Sequence, residues 1–433
     1  MRFVESVAIT FTSRIIIVFI AIASSIITAR WLGPAGKGTF AVLWVIVGLG
    51  VQFGNFGFHA SNVFFTAKDK KSVSNVASNS LCFGLIAGVI ISSGIIGVFL
   101  KKPGLFGNIP FLLLLVTIVL IPFKLILYFF QHLFLGLKRV LTYNSFELAE
   151  RISLLAIVVV VLVLLKQGLF MLMLSVSVIS GVLTIFFVIY TKRVTNFNFF
   201  TFDRILLRKM VGYGIKPYLA NFFSFLMIRS DMLLVNYFKG ANSSGIYSIA
   251  VNFADLLYLL PVTIGGMLFP IISANISDDG TFTQRVSRHT VLLMGIICIL
   301  MALICKPLIL LMYGEQFALS ALPFLWLLPG IFFLSLVTIY NSDLAGRGYP
   351  RFIIFTTAIS FILNFGLNLF FIPRYGIIGA AIASSISYFI MFMMILIYLI
   401  RFTHTTLRSL LSPSFSEIWN LFKNKRILRK YLR

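Results

Sequence analysis

Residues 229–273 read RSDMLLVNYFKGANSSGIYSIAVNFADLLYLLPVTIGGMLFPIIS, and this stretch decides how the chain folds. Two apolar runs meet at the Gly-rich turn around Lys239 and Gly245, each long enough for a bilayer core of about 30 Å. Arg229, Asp231 and Asp255 lie inside those runs. A charge at the centre of a membrane helix costs about 2.5–3.5 kcal/mol on insertion scales. Such residues face a bundle interior or a watery cavity and mark the route of a polar cargo. The stretch therefore predicts paired spans of a transporter.

The same grammar repeats on both sides of it. Apolar segments recur at about 14–31, 39–58, 79–100, 110–135, 146–165, 169–190, 213–237, 244–272, 290–312, 322–342, 352–372 and 376–401. Of 433 residues, 60% are hydrophobic and 11% charged, too few polar groups to cover a soluble protein. The expectation is an all-α polytopic membrane protein of about twelve transmembrane helices. Ala21-Ile22-Ala23 has the small residues of a signal-peptidase site, but the first apolar segment runs past it and eleven more follow, which argues against cleavage. Cys82, Cys298 and Cys305 all fall in spans and read as small buried hydrophobes, neither disulfide partners nor metal ligands.

The net charge of +24 would suggest nucleic acid on a soluble chain. Here it tracks topology. With the N-terminus in the cytoplasm, 25 of the 36 basic residues fall on the cytoplasmic side and 8, Lys37 among them, on the outer side. The other three, Lys124, Lys216 and Arg229, lie within spans. That asymmetry places both termini in the cytoplasm.

The chain reads as a duplication. WLGPAGKGTFAV (31–42) aligns with FKGANSSGIYSI (238–249) at an offset of 207, matching Gly33 with Gly240, Gly38 with Gly245 and Phe40 with Tyr247. The same offset pairs Pro122 with Pro329, and an offset of 210 pairs Gly136 with Gly346. Six spans per repeat is even, so the repeats enter the membrane in the same sense. They predict two six-helix lobes related by a pseudo-two-fold axis, with the cargo in a central cavity. The expected divisions are an N-lobe at 1–190, a cytoplasmic linker at 191–212, a C-lobe at 213–401 and a basic amphipathic tail at 402–433. The linker is expected to form a short amphipathic stretch on the cytoplasmic surface.

Polar residues recur at helical spacing within spans. One set is Gly48, Gln52, Asn55 and His59; another is Thr117, Lys124, Tyr128 and Gln131. A third is Ser248, Asn252 and Asp255, and a fourth Ser360, Asn364 and Asn368. Arg229 and Asp231 point about 200° apart on a helix, so at least one must find its partner on another span or in water. Lys124, Lys216 and Arg229 outnumber Asp231 and Asp255, the two acids expected at comparable depth. A cationic cavity suits a phosphorylated or acidic cargo.

Several chemistries are excluded. No GxxxxGK[ST] phosphate loop is present, so the chain is not itself an ATPase. His59, His132, His289 and His404 are scattered without metal-site spacing, and Asp278-Asp279 read as solvated in a cytoplasmic loop.

Five segments together resemble one family: ARWLGPAGKGTFAV (29–42), GLKRVLTYNSFELAERISLL (136–155), RSDMLLVNYFKGANSSGIYSIA (229–250), LPVTIGGMLFPIIS (260–273) and GIIGAAIASSISY (376–388). The chain is similar to the Wzx-type polysaccharide flippases of the MOP exporter superfamily, which serve O-antigen and capsule synthesis and are relatives of MurJ and the MATE exporters. The resemblance implies a two-lobed, twelve-helix transporter of the bacterial inner membrane, working by alternating access. It implies an undecaprenyl-pyrophosphate-linked oligosaccharide as cargo, turned from the cytoplasmic to the outer leaflet. Membrane lipids and the polysaccharide polymerase machinery are the implied partners. No cofactor is implied; the drive is an ion gradient, with Na+ or H+ as the coupling ion, or the membrane potential. Matched by position, Arg30, Lys124 and Arg229 become candidate cargo ligands, and Asp231 and Asp255 candidates for ion coupling or charge pairing. The polar stripes add Gln52 and Asn252, and the cations within spans add Lys216. A MATE-like exporter of small cations is the alternative, but its cavity should favour acids. A membrane polymerase or ligase would need a substantial outer loop with bases or nucleophiles, and no outer loop exceeds about 12 residues.

Overall fold

The computed structural model describes residues 3–199, 201–274, 280–403 and 410, and no strand occurs among them. The elements are α1 (Phe3–Asn55), α2 (Phe58–Lys68), α3 (Val73–Lys101), α4 (Phe111–Ile118), α5 (Leu120–Gly136), α6 (Val140–Val158), α7 (Leu169–Thr195), α8 (Arg204–Ala274), α9 (Thr281–Tyr313), α10 (Ala321–Gly346) and α11 (Pro350–Thr403). Asp278-Asp279, His404 and all of the basic tail beyond Thr403 except Leu410 lie outside the described residues.

Three helices are too long for one crossing. The 71 residues of α8 would run about 105 Å if straight, more than three times a hydrocarbon core. Each is broken at one glycine with backbone angles that a side chain opposes: Gly33 in α1 (φ 64°), Gly240 in α8 (φ 77°) and Gly376 in α11 (φ 61°). Among the described residues, eight helical segments are long and apolar enough to cross a membrane. Three hold two spans each, and α6 with its π-helical end at Val159–Leu164 supplies another, so the spans number twelve.

Prolines break other helices, and neighbours accept the consequence. Pro122 cannot donate to the carbonyl of Ile118, and span 4 divides there into α4 and α5. The Ser92 hydroxyl of α3 donates to that carbonyl at 3.1 Å, and Ser177 of α7 donates to Val116 O at 2.8 Å. In span 10, beside Pro329, Ser385 of α11 bonds Trp326 O in the same manner.

Packing divides the chain into two compact units, Met1–Ser248 and Ile249–Arg433. The duplication is visible inside each. At the end of α5, Leu137 N bonds Leu133 O, Lys138 N bonds Leu135 O and Arg139 N bonds Phe134 O. At the end of α10, Arg347 N bonds Asp343 O, Gly348 N bonds Ala345 O and Tyr349 N bonds Leu344 O. The two caps are the same motif at an offset of 210, each with a left-handed residue, Lys138 or Gly348, that lets the last carbonyls be satisfied.

The connection after α7 is tied down by side chains that its own composition does not announce. Asn79 of α3 donates to Asp203 O at 2.9 Å and accepts from Asp203 N at 3.0 Å. Ser78 donates to Asn198 O at 2.8 Å, and Phe197 is buried against Phe130. The expected surface stretch is thus split: α7 runs to Thr195, a pinned segment follows, and α8 begins at Arg204. Replacing Asn79 with Ala removes a reciprocal pair of hydrogen bonds. It should lower unfolding stability by about 1–3 kcal/mol and speed proteolysis between Thr195 and Arg204, read by limited chymotrypsin digestion in membranes.

Candidate functional site

A band of polar and aromatic side chains runs along the membrane-spanning helices of the first unit. It begins with helix spacing. On α6, Tyr143, Glu147 and Glu150 are separated by steps of four and three and share a face. On α5, Lys124, Tyr128, Gln131 and His132 do the same. The two faces meet. Lys124 Nζ lies 2.8 Å from Glu150 Oε2, and Gln131 Nε2 donates to Tyr143 O at 3.3 Å. The α1 helix closes the band at both ends: Arg14 Nη1 is 2.8 Å from Glu147 Oε1, and Trp44 lies with its ring 5.6 Å from the Lys124 ammonium.

Beside the ion pairs lies a group of imidazoles and phenols. His132 Nδ1 donates to Tyr128 O at 2.8 Å, which fixes its tautomer. His59 of α2 meets Asn55 at 2.9 Å through Nδ1 and Asn221 of α8 at 3.4 Å through Nε2. Its ring centre is 5.6 Å from that of His132 and 5.7 Å from that of Tyr128. Most of these side chains are half-buried, so they line an accessible surface. A polar band at membrane depth cannot face lipid tails without a large penalty; it borders water or the bundle interior. Ammonium, guanidinium, carboxylate, amide and aromatic faces together can hold an anion and a polyhydroxylated group side by side.

The expected site residues are dispersed. Lys124 sits in the band. Arg30 and Lys216 are exposed. Gln52 is half-buried, and its Oε1 has no hydrogen-bond partner among the described residues. Arg229 is half-buried and engaged within the protein. Asp231 is 3% exposed: Oδ1 accepts from Met232 N at 2.7 Å and Oδ2 from the Tyr247 hydroxyl at 2.6 Å. Its bond to Tyr247 reaches the other span of α8. Asn252 and Asp255 belong to the second unit, both half-buried and engaged.

Three expectations are corrected. Asp231 and Asp255 are not the only deep acids. Glu150 neutralises Lys124, and Glu147 pairs with Arg14. In the second unit, Asp343 is 2% exposed, held by Arg347 Nε at 3.0 and 3.1 Å and by the Thr283 hydroxyl at 2.6 Å. Nor are the histidines all scattered, since the fold brings His59 beside His132. The polar stripes also do not act alike. Thr117 turns back to Leu113 O at 2.7 Å. Asn364 donates to Ser384 at 3.4 Å and Asn368 to Asn364 at 2.9 Å, all fully buried, joining the two spans of α11 as interhelical glue. Among the described residues no group of three metal-binding side chains occurs.

Comparison with known proteins sets this geometry in context. The profile of a family described as "Polysaccharide biosynthesis protein" matches residues 3–276. A putative O-antigen transporter of Shigella flexneri is 25% identical over 389 residues, 85% of this chain and 90% of that protein. An uncharacterized membrane protein of Methanocaldococcus jannaschii is 28% identical over 198 residues; the match spans 44% of this chain and only 39% of that relative. Among solved structures, the lipid II flippase MurJ in an inward closed conformation superposes with a TM-score of 0.74 at 16% identity, covering 97% of this chain and 92% of that one. At that identity the likeness speaks for the fold.

Proposed function

From a chain that belongs to the polysaccharide biosynthesis protein family, we propose a flippase that carries a polyprenyl-pyrophosphate-linked oligosaccharide from the cytoplasmic to the outer leaflet. The band of Arg14–Glu147 and Lys124–Glu150 ion pairs at membrane depth carries this reading. Each cation already has a carboxylate partner, so an arriving diphosphate exchanges one anion for another instead of meeting a bare charge. The released carboxylates and the neighbouring Tyr128, His132 and Trp44 then face the sugar hydroxyls and ring faces. The polyprenyl tail stays in lipid. Alternating access of lobes at about 1–190 and 213–401 exposes the cargo to either side, coupled to a Na+ or H+ gradient or to the membrane potential. The site is proposed in a bacterial inner membrane with both termini cytoplasmic, handing its product to a polymerase of lipid-linked sugars.

A direct test reconstitutes the protein in liposomes with a fluorescent polyprenyl-diphosphate oligosaccharide in one leaflet. The expected result is protein-dependent appearance of the sugar on the other side, abolished by Lys124→Ala. Transport of small organic cations with no movement of the lipid-linked sugar would overturn the reading. Topology is tested separately, in a protein lacking Cys82, Cys298 and Cys305. New cysteines at Lys102 and Ser243 should react with an impermeant maleimide from outside, and one at Arg204 should not.

A further inference from the structure

The positions paired by the 207-residue offset touch each other. A Cβ on Gly38 would overlap the carbonyl oxygen of Ala241, and one on Gly245 would overlap the carbonyl oxygen of Pro34. Pro34 is equivalent to Ala241, and Gly38 to Gly245. The contact is therefore made twice by the same pair of positions, once from each repeat. It is a two-fold backbone seam just beyond the Gly33 and Gly240 breaks, and only glycine permits it.

One charge lies behind this seam. Lys37 is 4% exposed although its place in the sequence suggests a solvated outer residue. Its side chain folds back across the Gly33 break. The ammonium donates to the Thr28 hydroxyl at 2.9 Å, the Ser25 hydroxyl at 3.3 Å and the Ser25 carbonyl at 3.5 Å. In a straight helix, nine residues would separate Lys37 from Thr28 by about 13 Å, so only the break brings them together. The ring of Phe40 lies 5.6 Å away. No carboxylate is among its partners within the described residues. The equivalent residue of the second repeat is Ser244, whose hydroxyl bonds Gly240 O at 3.1 Å. The seam is symmetric in backbone and asymmetric in charge.

A lysine buried with neutral acceptors alone is destabilising, whether it keeps its proton at a desolvation penalty or sheds it. Hydration relieves that penalty. We propose that Lys37 is a built-in spring that drives the Gly38–Ala241 and Pro34–Gly245 seam apart, so that the outer ends of the repeats open to release cargo. The role rests on the flippase reading and its topology. Lys37 does not touch cargo; it sets the balance between sealed and parted seam.

The test reads the seam without cargo, so its failure is separate from failure of the transport reading. A single cysteine replaces Ala241 in the protein lacking native cysteines. Its labelling rate from outside is divided by that of Asn242→Cys, which is exposed. Lys37→Met should lower this ratio about tenfold, because a neutral side chain of similar length removes the reason to open. Thr28→Val takes away an acceptor and should raise the ratio severalfold. In the Lys37→Met background Thr28→Val should have no further effect, as a double-mutant cycle requires. Gly38→Ala should raise the ratio by sterics alone and should still do so with Met at position 37, which shows that a protein with that substitution remains folded and able to open. An unchanged or higher ratio in Lys37→Met overturns the proposal, as does a Thr28→Val effect that persists without Lys37.

Discussion

Lys124→Ala is expected to abolish most cargo movement, and adding Glu150→Ala is expected to restore stability without restoring transport. The two side chains form a 2.8 Å ion pair with 19% and 25% of their side-chain surfaces exposed. Removing Lys124 alone leaves a carboxylate at membrane depth without its ammonium. For a fully buried pair that costs about 3–5 kcal/mol; the partial exposure here reduces it to about 1–3 kcal/mol. Removing both partners leaves no orphan charge, so the double variant should recover much of that loss. Under the proposed function transport behaves differently, because the ammonium is also what a cargo diphosphate would pair with. Complementation of surface polysaccharide, normalised to membrane protein level, measures function, and thermal unfolding in detergent measures stability. A double variant that recovers both would reduce the pair to a structural contact.

Tyr247→Phe should destabilise the protein by about 1.5–3 kcal/mol, an effect that Asp231→Asn should largely reproduce. The phenol donates to a carboxylate that is 3% exposed, at 2.6 Å, within the short range of charge-assisted bonds. Deleting the hydroxyl leaves Asp231 Oδ2 with one fewer donor in a site that water does not reach freely. Tyr247 is the counterpart of Phe40 in the first repeat, where no acid stands two residues after a deep arginine. Phenylalanine therefore fits the position sterically, and the loss reports the hydrogen bond. A shift in unfolding temperature no larger than that of a surface substitution would show that the bond contributes little.

The fold was legible where one residue dictates backbone geometry. Gly33 and Gly240 mark the breaks, Pro122 marks the division of span 4, and the offsets of 207 and 210 relate positions that the structure shows in equivalent roles. The site was less legible because its members are distant in sequence and their neighbours mislead. The span expected at 146–165 begins at Val140 in α6, so Tyr143 is helical and shares a face with Glu147 and Glu150. Arg14 reaches Glu147 across 133 positions, a pairing that no periodicity reveals. His59 and His132 belong to different helices and meet only through packing of α2 on α5. Lys37 was counted as an outer charge because local sequence cannot show that a break folds its side chain inward. The signal that could have identified Glu147 and Glu150 is the spacing Tyr143–Glu147–Glu150 itself, which matches Lys124–Tyr128–Gln131 in period and complements it in charge.

The matched helix caps at Gly136 and Gly346 have a geometric corollary. Gly136 follows Pro122 by 14 residues, whereas Gly346 follows Pro329 by 17. The second copy thus has three more residues between two otherwise equivalent landmarks. In an α-helix three residues add about 4.5 Å of length and turn whatever follows by about 300°. Three residues are not a whole turn, so the helix beyond them presents a rotated face. The repeats thus share a register where their backbones touch at Gly38 and Gly245, and differ by three residues between the proline and the helix cap.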